Sequence, residues 1–199
     1  MNTIDEKDLI YLAGFVDGDG SIIAKFIYHK DYVKTRPYQI SLTVQATQKT
    51  KRKWFLEKIK KIIGEGNVND RKSVTSSSGG GNLEVPANTP PGCGARALPR
   101  RGGVTDVSDY CLVGPAAVGK FLKQIQPYLR LKQKQANLVI RITEQLPYSH
   151  DPEKFYELCQ LVDQVSALND SKNRTITADI VMSRMKEALK EIVPVETEE

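Results

Sequence analysis

The chain has 199 residues, 40% of them hydrophobic and 27% charged, with a formal net charge of +5. That length suits one domain with a real core, and the basic excess points to a polyanionic partner. Three cysteines without a Cys-x-x-Cys pair argue against a disulfide framework or a zinc site, and no apolar run is long enough for a membrane span.

The first element is a helix. Leu9, Ile10, Tyr11 and Leu12 continue an apolar helical pattern that Asp5 or Asp8 can cap. It runs into the nonapeptide Leu12-Ala13-Gly14-Phe15-Val16-Asp17-Gly18-Asp19-Gly20. Gly14 and Gly18 lie four apart, on one helical face, where a second backbone could approach closely. Gly18 and Gly20 then stop the helix and leave Asp17 and Asp19 at its C-terminal end. That end carries partial negative charge, so carboxylates there repel one another unless a cation joins them. The segment is expected to deliver an acidic metal site. A calcium loop of the EF-hand type is excluded: counted from Asp17, Ile22 stands where the loop needs glycine and Tyr28 where it needs a bidentate Glu.

Two strands follow. Over 21–30, Ile22, Ala24, Phe26 and Tyr28 alternate with Ser21, Ile23, Lys25, Ile27 and His29; over 38–46, Tyr38, Ile40, Leu42, Val44 and Ala46 alternate with Gln39, Ser41, Thr43 and Gln45. Helical spacing then runs from Lys49 through Trp54, Phe55, Leu56, Ile59, Ile62 and Ile63 to a stop at Gly64. Asn67, Val68, Asn69 and Arg71 open a second hairpin, and Asp109, Tyr110, Cys111 and Leu112 close it. Each hairpin puts one face in a core and leaves the other rich in Lys, Gln, Asn, Arg, Ser and Asp. Such side chains can donate or accept at base edges in the major groove, which admits a two-stranded ribbon. A merely solvated sheet face is the alternative. The excess of Gln and Asn over Lys and Glu favours base readout.

Between the strands of the second hairpin, residues 75–107 hold 7 of the 14 glycines and 4 of the 10 prolines, with no apolar period. Such a composition cannot offset its ordering entropy and is expected to be a flexible insertion. Pro115 begins a third helix, with Val118, Phe121, Leu122 and Ile125 on one face, and Pro127 closes it. Further helices are expected over 136–145, 153–167 and 177–192, a turn at Asn169-Asp170-Ser171, and a frayed tail over 194–199. The fold class is α+β: helix, hairpin, helix, hairpin, helix, then the C-terminal helices of 136–193, all in a single domain.

Charge is unevenly spread. Residues 1–74 carry 14 Lys/Arg against 9 Asp/Glu, whereas residues 151–199 carry 6 against 11. The basic excess lies with the motifs, which fits a polyanion-binding face and a separate solvated region.

The nonapeptide resembles the motif that names the LAGLIDADG homing endonucleases. Thr47-Gln48-Lys49-Thr50, Trp54-Phe55-Leu56, the run from Gln126 to Leu138, and Leu168-Asn169-Asp170-Ser171-Lys172 are similar to segments of the single-motif, algal chloroplast intron-encoded type. The resemblance spans nearly the whole chain except residues near 75–107. It implies a saddle-shaped antiparallel sheet in an α-β-β-α-β-β-α core. It implies a homodimer whose motif helices pair through Leu12, Gly14, Phe15 and Gly18, with Asp17 in structure or dimer packing. Asp19 and the Gly18 carbonyl would bind Mg²⁺, with Mn²⁺ able to substitute, and Gln48, Arg52 and Lys132 would form the catalytic polar shell around Asp19. Lys25, Ile27, His29, Asp31, Tyr32, Gln39, Ser41, Gln45, Asn67, Asn69, Arg71 and Asp109 match positions that face double-stranded DNA. Ser171 and Lys172 match phosphate contacts. Ile27, Asn67 and Asn69 depart in type from the related enzymes, so specificity is expected to differ there. The implied activity is hydrolysis of both strands of a long pseudo-palindromic site, leaving 3′ overhangs, in the service of intron mobility. An RNA maturase and a catalytically inactive DNA-binding protein on the same fold are the rivals, and an intact Asp19, Gln48, Arg52 and Lys132 speaks for cleavage. The start, Met1-Asn2-Thr3-Ile4-Asp5-Glu6, has no secretory segment and is too acidic for a transit peptide. A chloroplast protein made inside the organelle is the expectation, with no membrane partner.

Overall fold

The computed structural model describes residues 4–29, 37–71, 106–169 and 175–190. Helix α1 spans Glu6–Asp19. The Asp5 side chain caps it by accepting the Lys7 N–H at 3.3 Å, and Glu6 and Asp8 place negative charge in its first turn. Leu12, Ala13, Val16 and Asp17 are its buried side. The helix passes without a loop into strand β1, Gly20–Tyr28. Gly20 is extended there (φ −85°, ψ 165°), so its glycine is required by space and not by backbone angle: a Cβ would lie 2.7 Å from Val16 Cα.

Strand β2, Tyr38–Lys49, pairs antiparallel with β1 and runs three residues past the expected end. A 3₁₀ turn over Thr50–Arg52 leads into α2, Lys53–Ile63, which Gly64 ends in the left-handed conformation (φ 80°). Strands β3, Asn67–Arg71, and β4, Val107–Val113, form the second hairpin, so Val107 belongs to the strand and not to the expected insertion. Residues 72–105 lie outside the described residues. The sheet order is β1-β2-β4-β3, antiparallel throughout, which puts β4 inside the sheet against β2.

Alternation does what it should. Ile22, Ala24, Leu42, Val44, Ala46, Tyr110 and Leu112 point into the core, where α1, α2 and α3 (Pro115–Ile125) meet them through Leu12, Val16, Leu56, Ile59, Phe121 and Leu122. Each fully buried aliphatic side chain of this set contributes about 1.5–3 kcal/mol. Pro127 sits in a 3₁₀ turn, Gln126–Tyr128, that continues α3. Helix α4, Gln133–Gln145, starts three residues ahead of the expected boundary because Lys132 serves as its N-terminal flanking residue. Helix α5, Pro152–Leu168, lies along β1, and Asn169 Nδ2 donates to the Ile22 carbonyl at 2.9 Å, covering part of an edge strand. Helix α6, Ala178–Lys190, is started by the Asp163 carboxylate, which accepts the Ala178 N–H, and Arg184 Nη1 donates to Tyr38 Oη at 2.7 Å. No described helix is long and apolar enough to cross a membrane.

Candidate catalytic centre and nucleic-acid face

The end of α1 gathers the polar residues. Gly18 and Asp19 are exposed in its last turn, where carbonyl groups lack helical partners. From the end of β2, Gln48 Nε2 donates to Asp19 Oδ2 at 2.7 Å, and Gln48 Oε1 accepts from Arg52 Nη1 at 3.4 Å. A carboxylate can only accept and a guanidinium can only donate, so these partners fix which way the Gln48 amide points. Lys132 arrives from the loop before α4. Its Nζ donates to the Asp17 carbonyl oxygen at 2.5 Å, two residues before Asp19. Asp17 itself accepts the Arg130 N–H at 2.6 Å and the Lys132 N–H at 2.9 Å. Burial pushes the Asp17 carboxyl upward, but the amides of Arg130, Lys132 and Leu131 and the Lys132 charge outweigh it and hold the group below its ordinary range.

The Asp19 carboxylate and the neighbouring Gly18 carbonyl are hard oxygen donors, the kind that Mg²⁺ and Ca²⁺ prefer. Among the described residues no group of three or more His, Cys, Asp and Glu could hold a metal ion. One chain therefore brings one exposed carboxylate to the end of α1, and a second chain would double it.

The same helix has an open side. A Cβ added at Gly14 or Gly18 would meet nothing within 4 Å, and both residues are exposed. A glycine inside a helix costs roughly 1 kcal/mol against alanine, and nothing among the described residues asks for these two. Beside them Tyr11, Phe15 and Trp54 surround Phe55 edge-on, with ring centroids 6.1, 5.0 and 6.0 Å from it. Trp54 is 68% exposed. It stands off the Phe55, Leu56, Ile59, Ile62, Ile63 stripe of α2, and that displacement was the available sequence signal for it. Leu12 is corrected: at 1% exposure it belongs to the chain's own core, because it lies on the opposite side of α1 from Gly14 and Gly18.

The open face of the sheet carries the expected polar set. Register places Lys25 opposite Ser41 and Ile27 opposite Gln39. Ser21, Gln45, Cys111 and Asn67 form one row across the four strands, and Thr47, Asp109 and Asn69 the next. His29 follows β1 and its N–H donates to the Pro37 carbonyl at 2.8 Å. Lys25 is partly buried, which lowers its ammonium below the usual lysine range. Asp109 departs from the expectation. It is 4% exposed, Arg71 Nη2 donates to its Oδ1 at 3.0 Å, Arg71 Nε pairs with its Oδ2, and the Thr47 hydroxyl donates to it as well. Its acceptors are taken within the sheet, so it presents none to a base. Asp31, Tyr32, Ser171 and Lys172 lie outside the described residues.

The family described as LAGLIDADG endonuclease matches residues 12–80. The DNA endonuclease I-CreI of Chlamydomonas reinhardtii is 45% identical over 183 residues, 91% of each chain. The DNA endonuclease I-CvuI of Chlorella vulgaris is 33% identical over 185 residues, 93% of this chain and 94% of its own. A crystal structure of I-CvuI with the I-CreI target in Mg superposes with a TM-score of 0.71 at 32% identity, covering 94% of this chain and 98% of that one. A second, with its own target, was solved in Ca. With this identity over nearly its full length, the chain belongs to the LAGLIDADG homing endonuclease family.

Proposed function

We propose that the protein works as a homodimeric, divalent-metal-dependent homing endonuclease that cuts both strands of a long, pseudo-palindromic DNA site and leaves 3′ overhangs. The observation that carries this reading is the exposed end of α1, where Asp19, Gln48 and Arg52 form a hydrogen-bonded chain beside two helical glycines whose open side none of the described residues fills. Gly18 and Asp19 would hold the cation, Mg²⁺ being the best fit to hard oxygen donors. When bound, such an ion lowers the pKa of water and offsets charge on a phosphate. The chain's own part is positional. Gln48 and Arg52 orient the Asp19 carboxylate and offer donors to water and phosphate oxygens, and Lys132 adds a compact positive charge. Lys25, Gln39, Ser41, Gln45, Asn67 and Asn69 would meet base edges from the open face of the sheet. The named relatives are DNA endonucleases, and their algal sources support an intron-mobility role in a chloroplast.

The test is linearisation of a plasmid carrying the I-CreI target, with Mg²⁺, with EDTA, and with Asp19→Asn. Cutting that needs both the metal and Asp19 is expected. Tight binding of duplex without any cutting would overturn the enzyme and leave a DNA-binding regulator or an RNA maturase.

A further inference from the structure

The proposed chemistry uses Asp19, yet its neighbour Asp17 is the more heavily engaged carboxylate. Both Asp17 side-chain oxygens accept main-chain N–H groups, from Arg130 at 2.6 Å and Lys132 at 2.9 Å, across a sequence separation of more than 110 residues. A carboxylate facing nearby amides just ahead of a helix N-terminus sits in a favourable field. Its carbonyl oxygen, one of the last four of α1 and so without a helical partner, takes the Lys132 ammonium at 2.5 Å. One residue thus grips both the backbone and the side chain of Lys132.

The stretch is anchored at its two ends, by buried Leu129 and by the Lys132 carbonyl, which accepts the Ala136 N–H at 3.0 Å. Lys132 precedes α4 with no side-chain cap, and Leu131 at the apex is 76% exposed. A free lysine side chain carries about 2 kcal/mol of rotamer entropy, which would spread its ammonium through solvent. Held on the Asp17 carbonyl, it stays at the helix end that bears Asp19.

We propose that Asp17 is a positioning residue: its carboxylate clamps the 130–132 backbone and its carbonyl fixes the Lys132 ammonium beside the Asp19 site. The proposal rests on the endonuclease reading above. Asp17→Asn keeps the shape but replaces one acceptor oxygen with an NH₂ group that faces an amide donor.

In single-turnover cleavage of the I-CreI target by the full chain with Mg²⁺, Asp17→Asn is expected to be about 10- to 100-fold slower, while the Kd for the duplex changes by less than about threefold. On a Lys132→Ala background the same substitution should slow cleavage no further, because its effect passes through Lys132. A wild-type rate for Asp17→Asn, or an equal slowing on both backgrounds, overturns the clamp alone so long as the wild type cuts. A wild type that does not cut removes the enzyme and this proposal with it. Should Asp17→Asn fail to fold, amide hydrogen exchange on the wild type decides: slow exchange at Arg130 and Lys132 is expected, and exchange at the free-chain rate overturns the clamp.

Discussion

Asp109 and Arg71 show how a charge on a binding surface can be spent internally. Opposite charges within the open face neutralise each other, and the Thr47 hydroxyl occupies a remaining acceptor site. Asp109→Asn should remove that neutralisation and give the face one more positive charge. The slope of log Kd against log salt for duplex binding should then steepen by about one unit. Stability should fall by about 1–3 kcal/mol, less than for a fully buried pair because the Arg71 side chain is 35% exposed. Salt titration and urea unfolding check the two effects; an unchanged slope would mean that Arg71 does not reach phosphate. Tyr110 carries a pH effect of the opposite kind. It is buried, it donates to the Glu65 carbonyl at 2.8 Å, and burial, aided by the Glu65 charge, holds its phenol above the ordinary 10.0. The folded chain therefore keeps a proton that the unfolded chain releases. The resulting stability is intact below pH 10.0 and declines as pH rises past it. Tyr110→Phe should lack that share of the alkaline loss, which urea unfolding on either side of that pH would read.

At the scale of elements, α1 and its junction with β1 carry three glycines with two different reasons. Gly20 answers to its own chain, since a Cβ would strike the Val16 backbone. Among the described residues nothing fills the space beside Gly14 and Gly18, which leaves that face open to the proposed partner. Gly14→Ala separates these cases. It should stabilise the isolated helix by up to about 1 kcal/mol and yet weaken dimerisation, because the methyl group holds two backbones apart. Sedimentation equilibrium measures the second effect; a dimer unchanged in affinity would move the interface away from Gly14. The glycine spacing was legible in sequence, as were a cap at Asp5 or Asp8 (the structure selects Asp5), the Gly64 stop and the alternation of β1 and β2, because each depends on neighbours within a few turns. Leu12 was misplaced for the same reason. Helical periodicity defines faces but not which face meets the chain's own core, and both faces of α1 here carry apolar residues.

For the molecule as a whole, the second hairpin is the test of how far composition can be trusted. Its strands pair in register even though residues 72–105 separate them in sequence. Entropy of loop closure grows slowly with length, so replacing residues 75–105 with a short turn should recover no more than about 2 kcal/mol of it, set against the loss of the disulfide that Cys111 makes, about 2–4 kcal/mol. An inert insertion predicts wild-type cleavage and DNA affinity for that variant; a loss of affinity would make the segment part of the DNA contact.

The sequence by itself determined the order of elements, the α+β class, the polar and apolar faces of the strands, and Asp17 and Asp19 as carboxylates at a helix end. These are encoded in periods of two and 3.6 residues and in local turn chemistry. Only the tertiary structure decided that Arg71 and Asp109 neutralise each other, that Leu12 turns inward while Trp54 stays outside, and that Asp17 holds Lys132. Those outcomes depend on which strand lies beside which and on where a loop more than 110 residues away is brought back to α1. No local pattern carries that information, because it is set by the packing of the whole core.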